Sequence, residues 1–227
     1  MEFSRWEPVY ELILADFGYD RAADERARDL LAERADPFDP ARLAALDGAA
    51  VAVAGAGPSL EATADRAAAA DAVVAASTAA DRLRDAGVGV DLVVTDLDKH
   101  PRTVADLTAE GVPVAVHAHG DNVGLLREWL PECDRANVLP TTQAAPRGPA
   151  VNHGGFTDGD RAAFLADALG AASLAFPGWD LADPSVGPAK REKLRWAERL
   201  LAWLERRRGD RFSLLDGRRG AERFGDE

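Results

Sequence analysis

Short apolar runs alternate with longer segments of helical periodicity through most of the chain. Six runs predict strands, at 51–54, 72–76, 92–94, 114–116, 136–139 and 172–176. Helical patterns lie between them, at about 58–69, 78–86, 101–110, 121–130 and 158–169. Uniformly apolar strands separated by helices are typical of a parallel sheet that is buried on both faces. We therefore predict an α/β, Rossmann-like fold in which helices cover both faces of a mostly parallel sheet.

The segments on either side of this alternation have a different pattern. Residues 1–48 are amphipathic and helical, with an apolar face that includes Trp6 and Ile13. The segment 190–208 also has helical periodicity, and the residues after it are charged and glycine-rich. We predict a helical N-terminal appendage (1–48), an α/β catalytic domain (49–208) and a charged C-terminal tail (209–227).

Polar motifs follow each predicted strand directly. They are Gly55–Leu60, Ser77–Thr78, Thr95–Asp98, His117–Asn122, Thr141–Gln143 and Gly178–Asp180. The carboxyl ends of parallel strands share one edge of the sheet, and α/β folds bind their ligands outside that edge. These motifs therefore predict a single site.

Two acidic residues are the strongest candidates for chemistry. Asp96 and Asp98 alternate in extended backbone, which places both carboxylates on one side. Mg²⁺ takes one or two carboxylates together with phosphate oxygens and water. The alternative is a turn or a helix cap before Pro101.

Several groups at the same edge are candidates for binding phosphate. The loop that contains Gly55, Gly57 and Ser59 opens a helix and has backbone N–H groups, although a tight turn explains it equally well. His117 and His119 share a side of the fourth strand and would bind phosphate when protonated. Positively charged candidates, with solvated surface charge as the alternative, are Arg147, Arg161, Lys190 and Lys193.

The segment from Asn152 to Arg161 is glycine-rich and polar and precedes an apolar helix. Glycines and carboxylates are poor core residues, so we predict a shaped loop that ends at a helix N-terminus, where anions are favoured. A turn capped by Thr157 or Asp158 is the alternative.

Composition excludes several classes of protein. The net charge of −12 argues against general nucleic-acid binding. The apolar runs are shorter than the roughly 20 residues of a membrane span, and the acidic N-terminal residues do not resemble a signal peptide. Cys133 is the only cysteine, which fits a reducing cytoplasm, where we expect the protein.

Together these motifs resemble one family, the archaeal-type 6-hydroxymethyl-7,8-dihydropterin diphosphokinases, which are related in fold to thiamine diphosphokinases. The resemblance covers residues from about 50 to 195 and is most specific in the segment 152–161. The chain departs from the family pattern at Ala56, Lys99 and His153, where asparagine, glycine and an aromatic residue are usual. Ala56 puts one loop contact in question, whereas the aspartate pair is intact.

The resemblance implies transfer of diphosphate from ATP to the pterin hydroxymethyl group, with release of AMP, in folate or methanopterin biosynthesis. It implies Mg²⁺ at Asp96 and Asp98, and a catalytic set that adds His117 and His119. The implied ATP-binding residues are Gly55, Gly57, Ser59, Arg161, Lys190 and Lys193. The implied pterin-binding residues are Gln143, Asn152, Gly155, Phe156, Thr157, Asp158 and Asp160, some of which are alternatively metal contacts. The expected partners are then ATP and a pterin, and neither nucleic acid nor a membrane. Whether the N-terminal helices also form a homodimer is left open.

Three other functions remain compatible with the motifs. A sugar-nucleotide transferase would use Asp96 and Asp98 to bind a metal–diphosphate. A metal-dependent hydrolase would use His117, His119 and Asp121 with a transition metal and without ATP. A non-catalytic nucleotide-binding module would bind nucleotide without turnover.

The surface composition predicts dependence on salt. Lysine occurs only at Lys99, Lys190 and Lys193, and the net charge is −12, a pattern typical of adaptation to high internal salt, although a GC-rich genome also favours arginine and alanine. Salt screens the repulsion between surface carboxylates. We expect the melting temperature to rise substantially in molar KCl. An unchanged melting temperature and full activity in dilute buffer would contradict this prediction.

Overall fold

The structure is a computed structural model that describes residues 1–218. Its centre is a six-stranded sheet in the order β5-β4-β3-β2-β1-β6, with every neighbouring pair parallel. The strands are β1 (Ala50–Ala54), β2 (Ala72–Ala76), β3 (Leu92–Thr95), β4 (Val114–Ala118), β5 (Val138–Thr142) and β6 (Ser173–Ala175). The predicted parallel α/β fold is confirmed.

The helices also follow the sequence pattern. They are α1 (Phe3–Phe17), α2 (Arg21–Arg34), α3 (Leu60–Ala68), α4 (Ala79–Asp85), α5 (Pro101–Ala109), α6 (Val123–Trp129), α7 (Asp158–Ala168) and α8 (Pro188–Arg208). The fifth strand begins later than predicted because Asp134 caps a short 3₁₀ turn, Arg135–Asn137, by accepting a hydrogen bond from Ala136 N.

Alternate strand residues contribute to two hydrophobic cores on opposite faces of the sheet. On one face, Ala52, Val73 and Val93 pack with the buried sides of α2 to α6. On the other face, Val51, Val74 and other strand residues pack with α1, α7 and α8. Side chains of a strand point alternately to its two faces, so an apolar residue at every position is what a doubly covered sheet requires.

The order and direction of the strands determine which loops lie at the carboxyl edge of the sheet. Strands β1 to β5 step across the sheet in chain order, and the chain then returns through α7 to place β6 beside β1. All the strands are parallel, so their carboxyl ends lie at one edge. Strand β3 lies between β4 and β5 on one side and β2, β1 and β6 on the other.

The N-terminal helical segment shares its core with the sheet. Trp6, Tyr10 and Ile13 of α1 are each 1% exposed and belong to the same hydrophobic cluster as Val51 and Val53 of β1. Trp6 Nε1 also donates a hydrogen bond to the carbonyl of Gln143, at 2.9 Å. The apolar face of α1 is therefore buried within its own chain.

The first part of the predicted tail is also packed. Phe212 and Leu215 are buried in the cluster that contains α8, and the Phe212 ring lies 4.8 Å from that of Phe176. The remaining residues of that predicted segment, 219–227, lie outside the described part of the chain. In residues 1–218, no helix is long and apolar enough to cross a membrane.

Candidate active site

A cleft of about 340 Å³ lies at the carboxyl edge of the sheet. Its walls come from the loops that follow all six strands, from the start of α7 and from α8. The junction of α1 and α2 contributes a further wall. The prediction that polar motifs after separate strands form one site agrees with this arrangement.

Three carboxylates meet inside the cleft. Oxygens of Asp96, Asp98 and Asp158 all lie within 4.8 Å of one another. Asp96 and Asp98 come from the turn after β3, where Leu97 has a φ of +66°. In that turn Asp98 N donates to Asp96 Oδ1 at 3.1 Å. Asp158 is the first residue of α7, and sequence reasoning left it as either a pterin or a metal contact.

The carboxylates strongly perturb one another's ionisation. Burial opposes ionisation of Asp96, but a hydrogen bond from His119 and the charge of Arg161 hold its pKa well below the usual range. Burial and the neighbouring Asp96 raise the pKa of Asp98. Burial, followed by the charge of Asp96, raises the pKa of Asp158 to about 7. Clustered carboxylates are costly to ionise together unless a cation lies between them.

The donor set at this cluster fits a hard divalent cation. Carboxylate oxygens from Asp96, Asp98 and Asp158 are the ligand type that Mg²⁺ prefers. No thiol belongs to this group, and soft metals favour thiolates. The residues present therefore fit magnesium.

His119 and Asn122 fix the loop behind the carboxylates. His119 Nε2 lies 3.2 Å from Asp96 Oδ2. The Asn122 side chain accepts from His119 N and donates to the carbonyls of Asp96 and His117. The carboxyl ends of β3 and β4 are thereby tied together.

His117 does not share this environment. It is 3% exposed, its Nδ1 lies 3.0 Å from Thr141 Oγ1, and its Nε2 has no hydrogen-bond partner among the described residues. Burial, with the charge of Arg161, lowers its pKa well below the ordinary value. A neutral, buried imidazole does not offer the positive charge to phosphate that was expected of His117.

Positive side chains surround the carboxylates. Arg161 donates to Asp158 Oδ1 at 3.1 Å and to Gln143 Oε1 at 3.2 Å. Lys99, Lys190 and Lys193 also line the cleft, so all three lysines of the chain lie at this one site. Burial and the nearby charge of Lys99 lower the pKa of Lys190. Cations crowded to this extent indicate a polyanionic ligand. Arg147 instead pairs with Asp29.

The glycine-rich segment before α7 divides into residues that face the cleft and residues that shape the loop. Phe156, Thr157 and Asp158 line the cleft. Asp160 is fully buried and accepts hydrogen bonds from the backbone N–H groups of Phe156 and Thr157 and from the Thr157 hydroxyl. It completes a capping box.

The rest of this segment holds the loop in place. Asn152 donates to the carbonyls of Gln143 and Ala144 and accepts from Gly154 N. Gly155 has a φ of +96°, and a Cβ there would lie 2.5 Å from Arg161 Cα. Asn152, Gly155 and Asp160 therefore position the loop, whereas substrate contacts were expected of them.

The glycine loop after β1 is bound to the loop after β6. Gly55 N donates to Pro177 O and Gly57 N to Gly178 O. The N–H and hydroxyl of Ser59 both donate to Asp180 Oδ2 at 2.8 Å. These donors, which were expected to hold phosphate, are already engaged. The two glycines are needed because a Cβ at either would meet the Gly178 carbonyl within 2.8 Å.

Sequence reasoning missed the contribution of the N-terminal helices. Tyr19, Asp20, Ala23 and Asp24 line the cleft. Asp24 accepts hydrogen bonds from Tyr10, Gln143 Nε2 and Gly120 N, each at 2.7 Å. The sequence did contain a signal for this role, because the spacing of Asp24, Ala27 and Leu31 places all three on the same, buried side of α2. An acidic residue on such a face requires partners.

Comparison with known proteins identifies the family to which this chain belongs. The model of the family described as "6-hydroxymethylpterin diphosphokinase MptE-like" matches residues 31–185. The chain belongs to this family. The predicted resemblance is thus confirmed, and the matched segment includes every residue of the carboxylate cluster.

Three relatives share the name 6-hydroxymethyl-7,8-dihydropterin pyrophosphokinase. The protein from Methanothermobacter thermautotrophicus is 40% identical, over 91% of this chain and 96% of its own length. That from Pyrococcus furiosus is 36% identical, over 90% and 95%. That from Methanocaldococcus jannaschii is 27% identical, over 90% and 96%. This member of the pterin diphosphokinase family aligns with them over about nine tenths of its length.

The raised pKa of Asp158 predicts how stability depends on pH without a divalent cation. The folded protein holds a proton on Asp158 up to about pH 7, whereas the unfolded chain releases it near pH 4. The contribution of Asp158 to the free energy of unfolding should therefore fall as the pH rises between these values, by up to about 4 kcal/mol. Chemical denaturation of wild type and Asp158→Asn, both in a chelator, measures the difference. A difference between them that does not change with pH would contradict the prediction.

Proposed function

We propose that this protein transfers diphosphate from ATP to the hydroxymethyl group of 6-hydroxymethyl-7,8-dihydropterin and releases AMP. The observation that supports this most strongly is the group of Asp96, Asp98 and Asp158 at the carboxyl edge of the sheet, surrounded by Arg161 and the three lysines. Family membership and the names of the three relatives point to the same reaction.

The chemistry requires little covalent participation by the protein. The pterin hydroxymethyl oxygen attacks the β-phosphorus of ATP and forms a new P–O bond. The bond between that phosphorus and the α,β-bridging oxygen breaks, and AMP leaves with the electron pair. The hydroxyl proton is released, so the products are AMP, the pterin diphosphate ester and one proton. Positioning and neutralisation of charge supply most of the catalysis in such transfers.

The carboxylates have the clearest role. Asp96, Asp98 and Asp158 would hold Mg²⁺, which supplies positive charge next to the phosphate oxygens. His119 orients the Asp96 carboxylate through the 3.2 Å contact with Oδ2. Arg161 bonds both Asp158 and Gln143, and so holds the Asp158 carboxylate in place.

Lys99, Lys190 and Lys193 are suited to the transferred phosphates. They line the same cleft, and their ammonium groups are point charges that can follow the phosphates as the bonds change. The charges of Lys99 and Lys193 act on Lys190, and a bound polyanion would offset the repulsion among the three ammonium groups. The product of this reaction, the pterin diphosphate, would be an intermediate of reduced-pterin biosynthesis, of either the folate or the methanopterin type.

A discontinuous assay tests the proposal. The protein, ATP, Mg²⁺ and the pterin are incubated in high KCl, and nucleotides are separated by chromatography. We expect AMP formation that depends on the pterin. Asp96→Asn should reduce the rate at least about a hundredfold, because electrostatic groups at phosphoryl-transfer sites supply several kcal/mol. Asp36→Asn, an exposed substitution on a residue that does not line the cleft, should leave the rate unchanged.

Three outcomes would contradict the proposal. Formation of ADP would indicate single phosphoryl transfer. Turnover of a sugar nucleotide in place of ATP would favour a sugar-nucleotide transferase. ATP binding by the folded protein without pterin-dependent AMP would favour a nucleotide-binding module.

A further inference from the structure

The cleft has two ends, which lie on either side of the turn after the central strand β3. Asp96 and Asp98 follow β3, which lies between β4 and β2. One end of the cleft is formed by the α1–α2 junction and the loops after β4 and β5. The other end is formed by the loops after β1, β2 and β6. In-line diphosphate transfer places the attacking oxygen and the leaving group on opposite sides of the reacting phosphorus. If the proposed function holds, each end therefore takes one substrate.

We propose that the end formed by Tyr19, Asp24, His119, Asp121 and Gln143, here called the N-terminal lobe, binds the pterin ring, and that ATP binds at the opposite end. In this arrangement the pterin stacks on Tyr19, and carboxylate oxygens accept hydrogen bonds from its N–H groups.

The Tyr19 ring is held as a stacking surface. It is partly exposed and lines the cleft. Phe17 stacks on it with a centroid separation of 5.3 Å and an interplanar angle of 18°. The Phe156 ring lies 6.4 Å from it and 5.0 Å from Phe17. A flat heterocycle gains the most binding free energy by stacking on a ring that is already fixed in place, because little side-chain entropy is then lost on binding.

The polar groups of the N-terminal lobe suit N–H donors better than phosphates. Asp20, Asp24 and Asp121 line this end. Burial raises the pKa of Tyr19, and the charges of Asp121 and Asp24 raise it further, which is a sign of negative potential at the ring. A pterin presents adjacent N–H and NH₂ groups on its pyrimidine edge, and one carboxylate can accept from both. Arg161 and Lys193 border this end, since Arg161 bonds Gln143 and Lys193 lies 5.8 Å from the centre of the Phe156 ring, so the phosphates would lie between the two ends.

Asp24 is fixed in orientation by the surrounding structure. Its Oδ2 accepts from Tyr10 and Gln143, and its Oδ1 accepts from Gly120 N. A carboxylate offers about four acceptor positions, so these three bonds leave Asp24 one position for a ligand N–H, and the exposed Asp121 is the carboxylate that can accept from two. The loop after β4 packs closely against the helix that bears Asp24, since a Cβ at Gly120 would lie 2.7 Å from Ala23 Cβ.

The opposite end has features suited to the nucleotide. Ser77 and Thr78 place hydroxyls at the carboxyl end of β2, and Trp179 presents a second aromatic ring to the cleft. Ser77 Oγ is buried and has no hydrogen-bond partner in the described part of the chain. An unsatisfied buried hydroxyl is costly unless a ligand bonds to it. Lys190, two residues after the start of α8, lines the cleft together with Asp183 and Val186 of the preceding loop.

Steady-state kinetics with each substrate varied in turn tests this assignment. Tyr19→Ala should raise the KM for the pterin about tenfold or more and leave the KM for ATP within about twofold, because base–aromatic stacking contributes that much to affinity. Tyr19→Phe, which keeps the ring, should restore most of the affinity for the pterin that Tyr19→Ala loses, and Asp36→Asn, outside the cleft, should leave both KM values unchanged. Ser77→Ala should have the opposite effect, raising the KM for ATP alone.

Equilibrium binding separates failure of this assignment from failure of the proposed function. Binding of 6-hydroxymethyl-7,8-dihydropterin without nucleotide is followed through its fluorescence. Weaker binding to Tyr19→Ala than to Tyr19→Phe supports the assignment even if turnover differs from the proposal. If wild type forms AMP but Tyr19→Ala raises the KM for ATP, or raises both equally, the assignment is overturned and the proposed reaction stands. Circular dichroism verifies that each variant is folded.

Discussion

The site depends on one electrostatic constraint, which is the crowding of three carboxylates at the carboxyl edge of a parallel sheet. Asp96, Asp98 and Asp158 lie within 4.8 Å of one another, where mutual repulsion and burial make full ionisation costly. A divalent cation bound between them would remove this cost and would attract a polyphosphate. Arg161, His119 and the capped start of α7 hold Asp158 and Asp96 in place.

The fold explains why residues that are distant in sequence meet there. Parallel strands end at one edge, so the loops after all six strands reach the same cleft. The return through α7 adds Asp158 and Arg161, and α8 adds two of the lysines. The N-terminal helices close one end through Tyr19 and Asp24. A cleft built from so many elements can hold two substrates on either side of a central charge cluster.

Much of this was predictable from the sequence, for physical reasons. Strand positions follow from runs such as Val51–Ala54 that are apolar at every residue, and Asp96 and Asp98 follow directly after one of them. The contacts of individual polar groups were less predictable. The donors of Gly55, Gly57 and Ser59 turn inward to the loop after β6, and Asn152 and Asp160 satisfy their own loop. The sequence shows that a polar residue lies at the carboxyl edge of the sheet, but it does not show which group forms a hydrogen bond with that residue.

The most direct test of the carboxylate cluster uses an ATP analogue in which a methylene replaces the α,β-bridging oxygen. Its affinity is measured by calorimetry with and without Mg²⁺, for wild type, Asp98→Asn, Asp158→Asn and Asp36→Asn. The account predicts that Mg²⁺ strengthens binding at least about tenfold in wild type and Asp36→Asn, and that this gain is lost in both cluster variants. Equal affinity with and without Mg²⁺ in wild type, or an unchanged gain in the cluster variants, would contradict it.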